Sequence, residues 1–464
     1  MTSTFLPKGD TRRTRTAIGL VLMASLFATG CTRELILPGD RFDTRTTMED
    51  TLDPANSLGD ATVEVEETAE APREPVAISL PATRNLSSWT HRNGSIAHVA
   101  GHAAIDSELS AIWSAEIGEG DGRRHRISAT PVAADGLIYT LDSRATVTAT
   151  QLATGATVWQ RDLTPAADRR DDASGGGLSV AGGTLYVSSS FGMLTALDAK
   201  TGDARWVQEL EAAATAPATI DGGSVFITTM DGVARSIDAA TGKILWTIQG
   251  APNITGLTGG SGPAVSGRMV VLPLGSGEMI GALKTAGIRV WSTSVSGERR
   301  GRGYTGFTDI TGDPVIVGGT VYAGNAQGKL AAVELRTGKR LWTAGEGAFG
   351  PVWPVGNNLF FLNDQAELIR MNARTGEVVW REQLPYFLDR KPRRLKDVNA
   401  HFGPVLAGGR LLVASDDGLL RGFDPASGAV VETVEIPGGA ATAPIIVDGT
   451  VYVVSRRGRL IAYK

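Results

Sequence analysis

The chain has 464 residues, 45 Lys and Arg against 49 Asp and Glu, and 42% apolar residues with 58 glycines. That composition excludes a disordered or collagen-like polymer and permits a sizeable core, while a formal charge of −4 without a concentrated basic stretch excludes a phosphate-binding nucleic-acid surface. The one cysteine, Cys31, excludes an internal disulfide.

In chain order, Lys8, Arg12, Arg13 and Arg15 precede the apolar run AIGLVLMASLFA, and small residues lead on to Cys31. The run falls short of the ~20 residues that span a bilayer, so residues 1–30 are expected to be an export signal. No apolar residues follow Arg12 and Arg13 as they would in a twin-arginine signal. The ATG before Cys31 resembles the lipobox of bacterial lipoproteins, with Ala28 where Leu is commoner. That resemblance implies a lipoprotein signal peptide and acylation of Cys31, and Thr32 in place of a retention-type Asp favours an outer-membrane anchor. Cleavage removes four basic residues and one acid, taking the formal charge from −4 to −7.

Residues 31–84 hold no sustained apolar period, and VEVEETAEAPREPV is acidic and proline-bearing. They are expected to form a lipid-anchored disordered tether with a mean reach of roughly 40 Å for a flexible coil of this length. LILPGDRFDTR, just after Cys31, is expected to be membrane-proximal spacer.

From about Leu109 the chain falls into units of one form. An apolar strand near a proline (ATPVAADG, FGPVLAGG) is followed by a strand after a glycine turn (GLIYTLD, GTVYVVSR), then an alternating strand (GMLTALDA, GKLAAVEL), then TGxxxW. Short alternating strands with Gly, Asn and Asp turns at this period predict propeller blades. In DAKTGDARW the Asp can cap the turn's own amides, Gly202 supplies a positive φ, and Trp206 stands four residues on, where a large apolar face can wedge between blades.

This pattern resembles the tryptophan-docking repeat of quinoprotein-type, PQQ-like β-propellers. Docking positions fall at Trp113, Trp159, Trp206, Trp246, Trp291, Trp342 and Trp380, with an eighth at Glu432, whose polar side chain is expected to face solvent or a neighbour's donor. Trp89 and Trp353 lie outside the register and are expected in cap or core. SAIWSAEI around Trp113 has no three strands before it, and the three strands after Ala441 have no TGxxxW behind them. The two ends therefore complete one blade. The expected fold over residues 85–464 is all-β: a single eight-bladed β-propeller of four-stranded antiparallel blades, closed by pairing N- and C-terminal strands, which removes free sheet edges.

Resemblance to pyrroloquinoline quinone dehydrogenases raises an enzymatic alternative, and a ligand-sensing periplasmic propeller with a small molecule in its funnel is another. The enzyme inventory is missing. No cysteine pair exists in the body, and the five histidines show no HExxH spacing; the nearest pair is His98 and His102 in HVAGH. GGSGP at Gly259–Pro263 lacks the second glycine of a nucleophile elbow, and TGK lacks the upstream glycine of a phosphate loop. No catalytic, cofactor-binding or metal site is expected.

An exported, acylated, Trp-docking propeller also resembles the BamB family, the lipoprotein subunits of the outer-membrane β-barrel assembly machinery. ADGLIYTLD, FTDITGDPVIVGGTVYAG, FGPVLAGGRLLV and GTVYVVSRRGRLIAYK carry the resemblance over about Trp89 to Lys464. It implies a non-catalytic scaffold at the periplasmic face of the outer membrane. The implied partners are the periplasmic domains of the barrel-inserting protein and, by strand addition, unfolded outer-membrane proteins. It places the partner-binding residues in two loops, NITGLTGGSGP with Leu257 and Thr258, and SGERRGRGYTGFTDITGDP with Arg299, Arg300, Asp309 and Thr311. The family pattern has apolar residues and an arginine in the first loop and two acids in the second. Here Thr255, Thr258 and Thr311 depart from it, and Arg299, Arg300 and Arg302 either supply the arginine from the adjacent loop or form a solvated loop tip.

Overall fold

Glycine-bounded apolar stretches become strands wherever the repeat recurs. A computed structural model describes residues 74–251, 259–295, 297, 308–388 and 397–464, which belong to one unit beginning at Glu70. The described residues form 32 strands, β1 to β32 in chain order, arranged as eight four-stranded antiparallel sheets. Seven sheets are meanders at residues 132–162, 176–209, 219–249, 264–294, 310–344, 353–383 and 401–435, blades 1 to 7. Blade 8 joins β30 (Ile445–Val447), β31 (Thr450–Ser455) and β32 (Arg459–Tyr463) to β1 (Ala111–Glu116), so the ring is an eight-bladed propeller closed by its two ends. The export signal, Cys31 and the tether up to residue 73 lie outside the described residues.

Strand position decides burial. In blade 2 the second strand, Thr184–Ser189, is buried on both faces, whereas the outermost, Ala204–Glu209, alternates exposed and half-buried residues. Each outermost strand also carries a β-bulge beside the docking position. Trp206 pairs with Ala196, and the register then slips so that Leu197 pairs with Ala204. A bulge twists and bends the strand locally, which re-aims the indole toward the neighbouring blade. The residue opposite the docking side chain is small in most blades: Ala149, Ala196, Ser236, Gly281, Ala332, Gly422 and Ala462. At Gly281 the reason is steric, because a Cβ would sit 2.1 Å from the Trp291 ring.

The indole then lies over the TG turn of the next blade. A Cβ on Gly202 would come within 2.7 Å of Trp159, and one on Gly242 within 2.8 Å of Trp206. Each of these glycines therefore meets two demands, a φ of 75° and an aromatic ring directly above it. Except at Trp113, the indole N–H donates to the carbonyl just before that turn, as from Trp159 to Ala199 at 3.1 Å, Trp206 to Ala239 at 3.0 Å and Trp342 to Ala373 at 2.9 Å. An aromatic residue on the second strand packs against the indole, with Tyr139 and Trp159 centroids 6.0 Å apart, and the tyrosine hydroxyl donates to the same Ala199 carbonyl at 3.0 Å. Both lone pairs of that carbonyl are thus used. Burial pushes the Tyr139 phenol up to about 12, so it remains a donor.

Glu432 differs for a reason visible only in the ring. The next blade has no continuous turn at this place, since its third strand is Arg459–Tyr463 and its fourth is Ala111–Glu116, far upstream in sequence, so no TG glycine awaits an indole. Instead Glu432 Oε2 pairs with Arg410 Nε at 2.6 Å, and Oε1 accepts the Leu109 N–H at 2.8 Å. Arg410 also donates to the Asp106 carbonyl at 2.9 Å. A carboxylate, with two acceptor sites, ties the returning N-terminal strand into the seam.

Candidate docking rim and the strapped axis

Antiparallel meanders sort their connections by end. Turns between first and second strands, and the TG turns between third and fourth, lie on one rim. Connections from blade to blade lie on the other, with the turns between second and third strands. The two loops expected to bind a partner, residues 250–263 and 295–309, are blade-to-blade connections and so leave from this second rim. Leu257, Thr258, Arg299, Arg300 and Arg302 lie outside the described residues. Asp309 and Thr311 are half-buried at the root of the second loop, and the Thr311 hydroxyl donates to the Ala348 carbonyl at 2.6 Å. Thr308 likewise donates to the Gly275 carbonyl at 2.9 Å, tying this root to blade 4 and to the connection between blades 5 and 6.

The axis is occupied by the chain itself. Between residues 84 and 104 an N-terminal strap passes the innermost strands in turn. Trp89 exchanges two backbone hydrogen bonds with Ala133 of blade 1, the Thr90 carbonyl accepts from Val180 of blade 2, and His91 Nε2 accepts from Ile220 of blade 3. The carbonyls of Ile96 and Ala97 accept from Val265 and Ile316 in blades 4 and 5, and Ala103 bonds to Leu406 and Gly408 of blade 7. For blade 6 the contact is aromatic. Trp89 and Trp353, each 1% exposed, stack with centroids 6.3 Å apart. Blade 8 is reached through Leu86, whose carbonyl accepts from Asp448. Innermost strands have unpaired edges toward the axis, and the strap satisfies their donors. Residues 74–84, placed in the tether by sequence, also bond to the ring: Arg370 donates to the carbonyls of Val76 at 2.6 Å and Ala77 at 3.0 Å.

The histidines serve these backbone contacts. His98 Nδ1 bonds to the Pro314 carbonyl at 2.8 Å and His102 Nδ1 to the Pro81 carbonyl at 2.7 Å, while His102 Nε2 accepts from Gly409 at 2.9 Å. Among the described residues no group of three or more His, Cys, Asp or Glu is placed to hold a metal ion. Burial lowers the His91 pKa to about 3, with His98 adding to the effect and Asp221 opposing it, so the ring is neutral and free to accept. A cavity beside the axis, lined by Arg92, Ser128, Thr130, Gly177 and Pro217 among others, has a volume of about 10 Å³, space for one water. No helix among the described residues is long and apolar enough to cross a membrane.

One residue that sequence reading passed over ties the end of the first loop to the strap. Asp313, in the first strand of blade 5, is 1% exposed; its Oδ1 accepts the Gly262 N–H at 2.7 Å and its Oδ2 pairs with Arg92 Nε at 3.1 Å. An acid beside a proline inside an apolar inner strand, TGDPVIV, was the available signal.

Comparison with known proteins agrees with this architecture. The pattern of the family described as outer membrane protein assembly factor BamB matches residues 143–382 and 387–464. Relatives named outer membrane protein assembly factor BamB include one from Shewanella oneidensis, 27% identical over 374 residues that cover 76% of this chain and 91% of the relative. Another, from Escherichia coli K12, is 28% identical over 350 residues, 75% of this chain and 86% of the relative. Among solved structures, BamB from Moraxella catarrhalis superposes with a TM-score of 0.64 at 20% identity, covering 77% of this chain and 99% of that one. A quinohemoprotein alcohol dehydrogenase from Pseudomonas putida HK5 gives the same TM-score at 15% identity, covering 82% and 80%. At such identities both structures speak to the fold alone.

Proposed function

The chain belongs to the family of the outer membrane protein assembly factor BamB, and from that premise we propose that it is a non-catalytic scaffold in outer-membrane β-barrel assembly. The family match along blades 1 to 8 carries the reading. One feature of the ring supports it: long connections gather on one rim, where loops on a rigid support usually bind. Acylation at Cys31 holds the protein at the periplasmic face of the outer membrane. The loops bearing Leu257, Thr258, Arg299, Arg300, Asp309 and Thr311 grip the periplasmic domains of the barrel-inserting protein.

The test is an affinity pull-down from detergent-solubilised envelopes with tagged wild type and an Arg300→Glu, Asp309→Arg double variant whose melting curve matches wild type. Recovery of a barrel-inserting outer-membrane protein by the wild type and its loss in the variant is the expected result. If the wild type recovers none, membership of the family does not extend to this function.

A further inference from the structure

The strap does more than fill the axis, because one side chain leaves it for the docking rim. Arg92 opens the short 3-10 turn Arg92–Gly94. Its Nε pairs with Asp313 Oδ2 at 3.1 Å and its Nη1 donates to the Gly260 carbonyl at 3.2 Å. Asp313 completes a triangle by accepting the Gly262 N–H. The side chains are 17% and 0% exposed, so this is a buried pair whose carboxylate depends on its partners. Gly262 itself admits no side chain, as a Cβ would lie 2.8 Å from the Pro217 carbonyl.

The places joined in this way are telling. Gly260 and Gly262 end the connection that carries Leu257 and Thr258, and Asp313 follows Thr311 at the root of the connection that carries Arg299 and Arg300. The end of one connection and the first strand of blade 5 are thus joined to each other and to the strap by one ion pair and two hydrogen bonds. Where Val265 and Ile316 meet the strap, the contacts are backbone hydrogen bonds that any residue could make; here they depend on one guanidinium, which pairs by charge with Asp313 and donates to the Gly260 carbonyl.

We propose that Arg92 is a positioning residue for partner docking: through Asp313 and Gly260 it sets the spacing of the roots from which the two rim connections leave the ring. The inference rests on the reading of that rim as the docking surface.

Three variants of the full-length protein test it: Arg92→Met, which keeps the stem and removes the donors; Asp313→Asn, which keeps Oδ1 for Gly262; and the two combined. Amide hydrogen exchange reads the roots, and binding to the purified periplasmic domain of the barrel-inserting subunit reads docking. In Arg92→Met, exchange at Gly262 should rise about tenfold to a hundredfold, the loss of charge-assisted bonds, with Val265 and Ile316 unchanged and affinity down by about tenfold or more. The combined variant should regain part of the protection, since the uncompensated buried charge is gone. Unchanged exchange at Gly262, or an equal rise at Val265 and Ile316, would overturn the clamp. Loosened roots with undiminished affinity would overturn its role in docking. If wild type fails to bind, the docking reading falls, while the exchange data still decide whether Arg92 holds the roots.

Discussion

Replacing Glu432 with alanine removes the carboxylate that takes the place of a docking tryptophan at the seam. Arg410, 8% exposed as a side chain, loses its counter-charge but keeps the Asp106 carbonyl at 2.9 Å and the Gly408 carbonyl at 3.3 Å. Breaking a buried ion pair costs about 3 to 5 kcal/mol, and the surviving acceptors favour the lower end. The Leu109 N–H loses its acceptor as well, adding about 1 kcal/mol. A total of about 4 kcal/mol follows, felt first at the seam, so local opening at Leu109 should become several hundredfold more frequent. Amide exchange at Leu109 and Ser110, compared with Trp206 in an undisturbed blade, measures it. Glu432→Trp, which restores the docking residue of the other blades, should be no better than alanine, because no turn glycine lies beneath it. If Glu432→Trp equals or exceeds wild type in urea stability, the seam is an ordinary docking site and the reasoning fails.

Gly242→Ala combines a positive φ with a Cβ 2.8 Å from the Trp206 ring and should cost about 3 kcal/mol or more, whereas Gly223→Ala, at φ 81° in open space, should cost only about 1 kcal/mol; equal losses by denaturant titration would remove the docking role of the turn glycine. Trp89→Ala opens a hole against Trp353 and should cost about 3 to 5 kcal/mol, with faster exchange at Ala133, and unchanged protection there would deny the strap its anchor. The pKa of His91 is lowered in the folded protein to about 3 from 6.5, so between those values the unfolded chain takes up a proton that the folded one refuses. Stability due to this ring is complete above pH 6.5 and declines as pH falls, by up to about 1.4 kcal/mol per pH unit. His91→Gln should lose part of the stability at pH 7 but show a shallower decline between pH 6 and pH 4; an unaltered slope in urea titrations would refute it.

What the sequence by itself determined is the repeat. An Asp, a Thr-Gly pair and a Trp at constant spacing announce a hairpin and a docking side chain through local chemistry alone. Once the Glu432 position is counted, the number of blades and their closure follow from the order of strands at the two ends. Tertiary structure alone decided what each repeated residue touches. Trp206 stands above Gly242 rather than the Gly202 of its own turn, a relation between consecutive repeats that no single repeat displays. Glu432 reads as a weakened dock until the ring places it against Arg410 and Leu109, 22 and 323 residues away in sequence. The strap was least legible of all. Its residues lack alternation because each bonds to a different innermost strand around the axis, and such contacts follow the geometry of the closed ring instead of the period of any one element. Arg92 and Asp313 meet for the same reason: a buried charge selects its partner by proximity in the folded ring, and proximity is what a linear pattern does not contain.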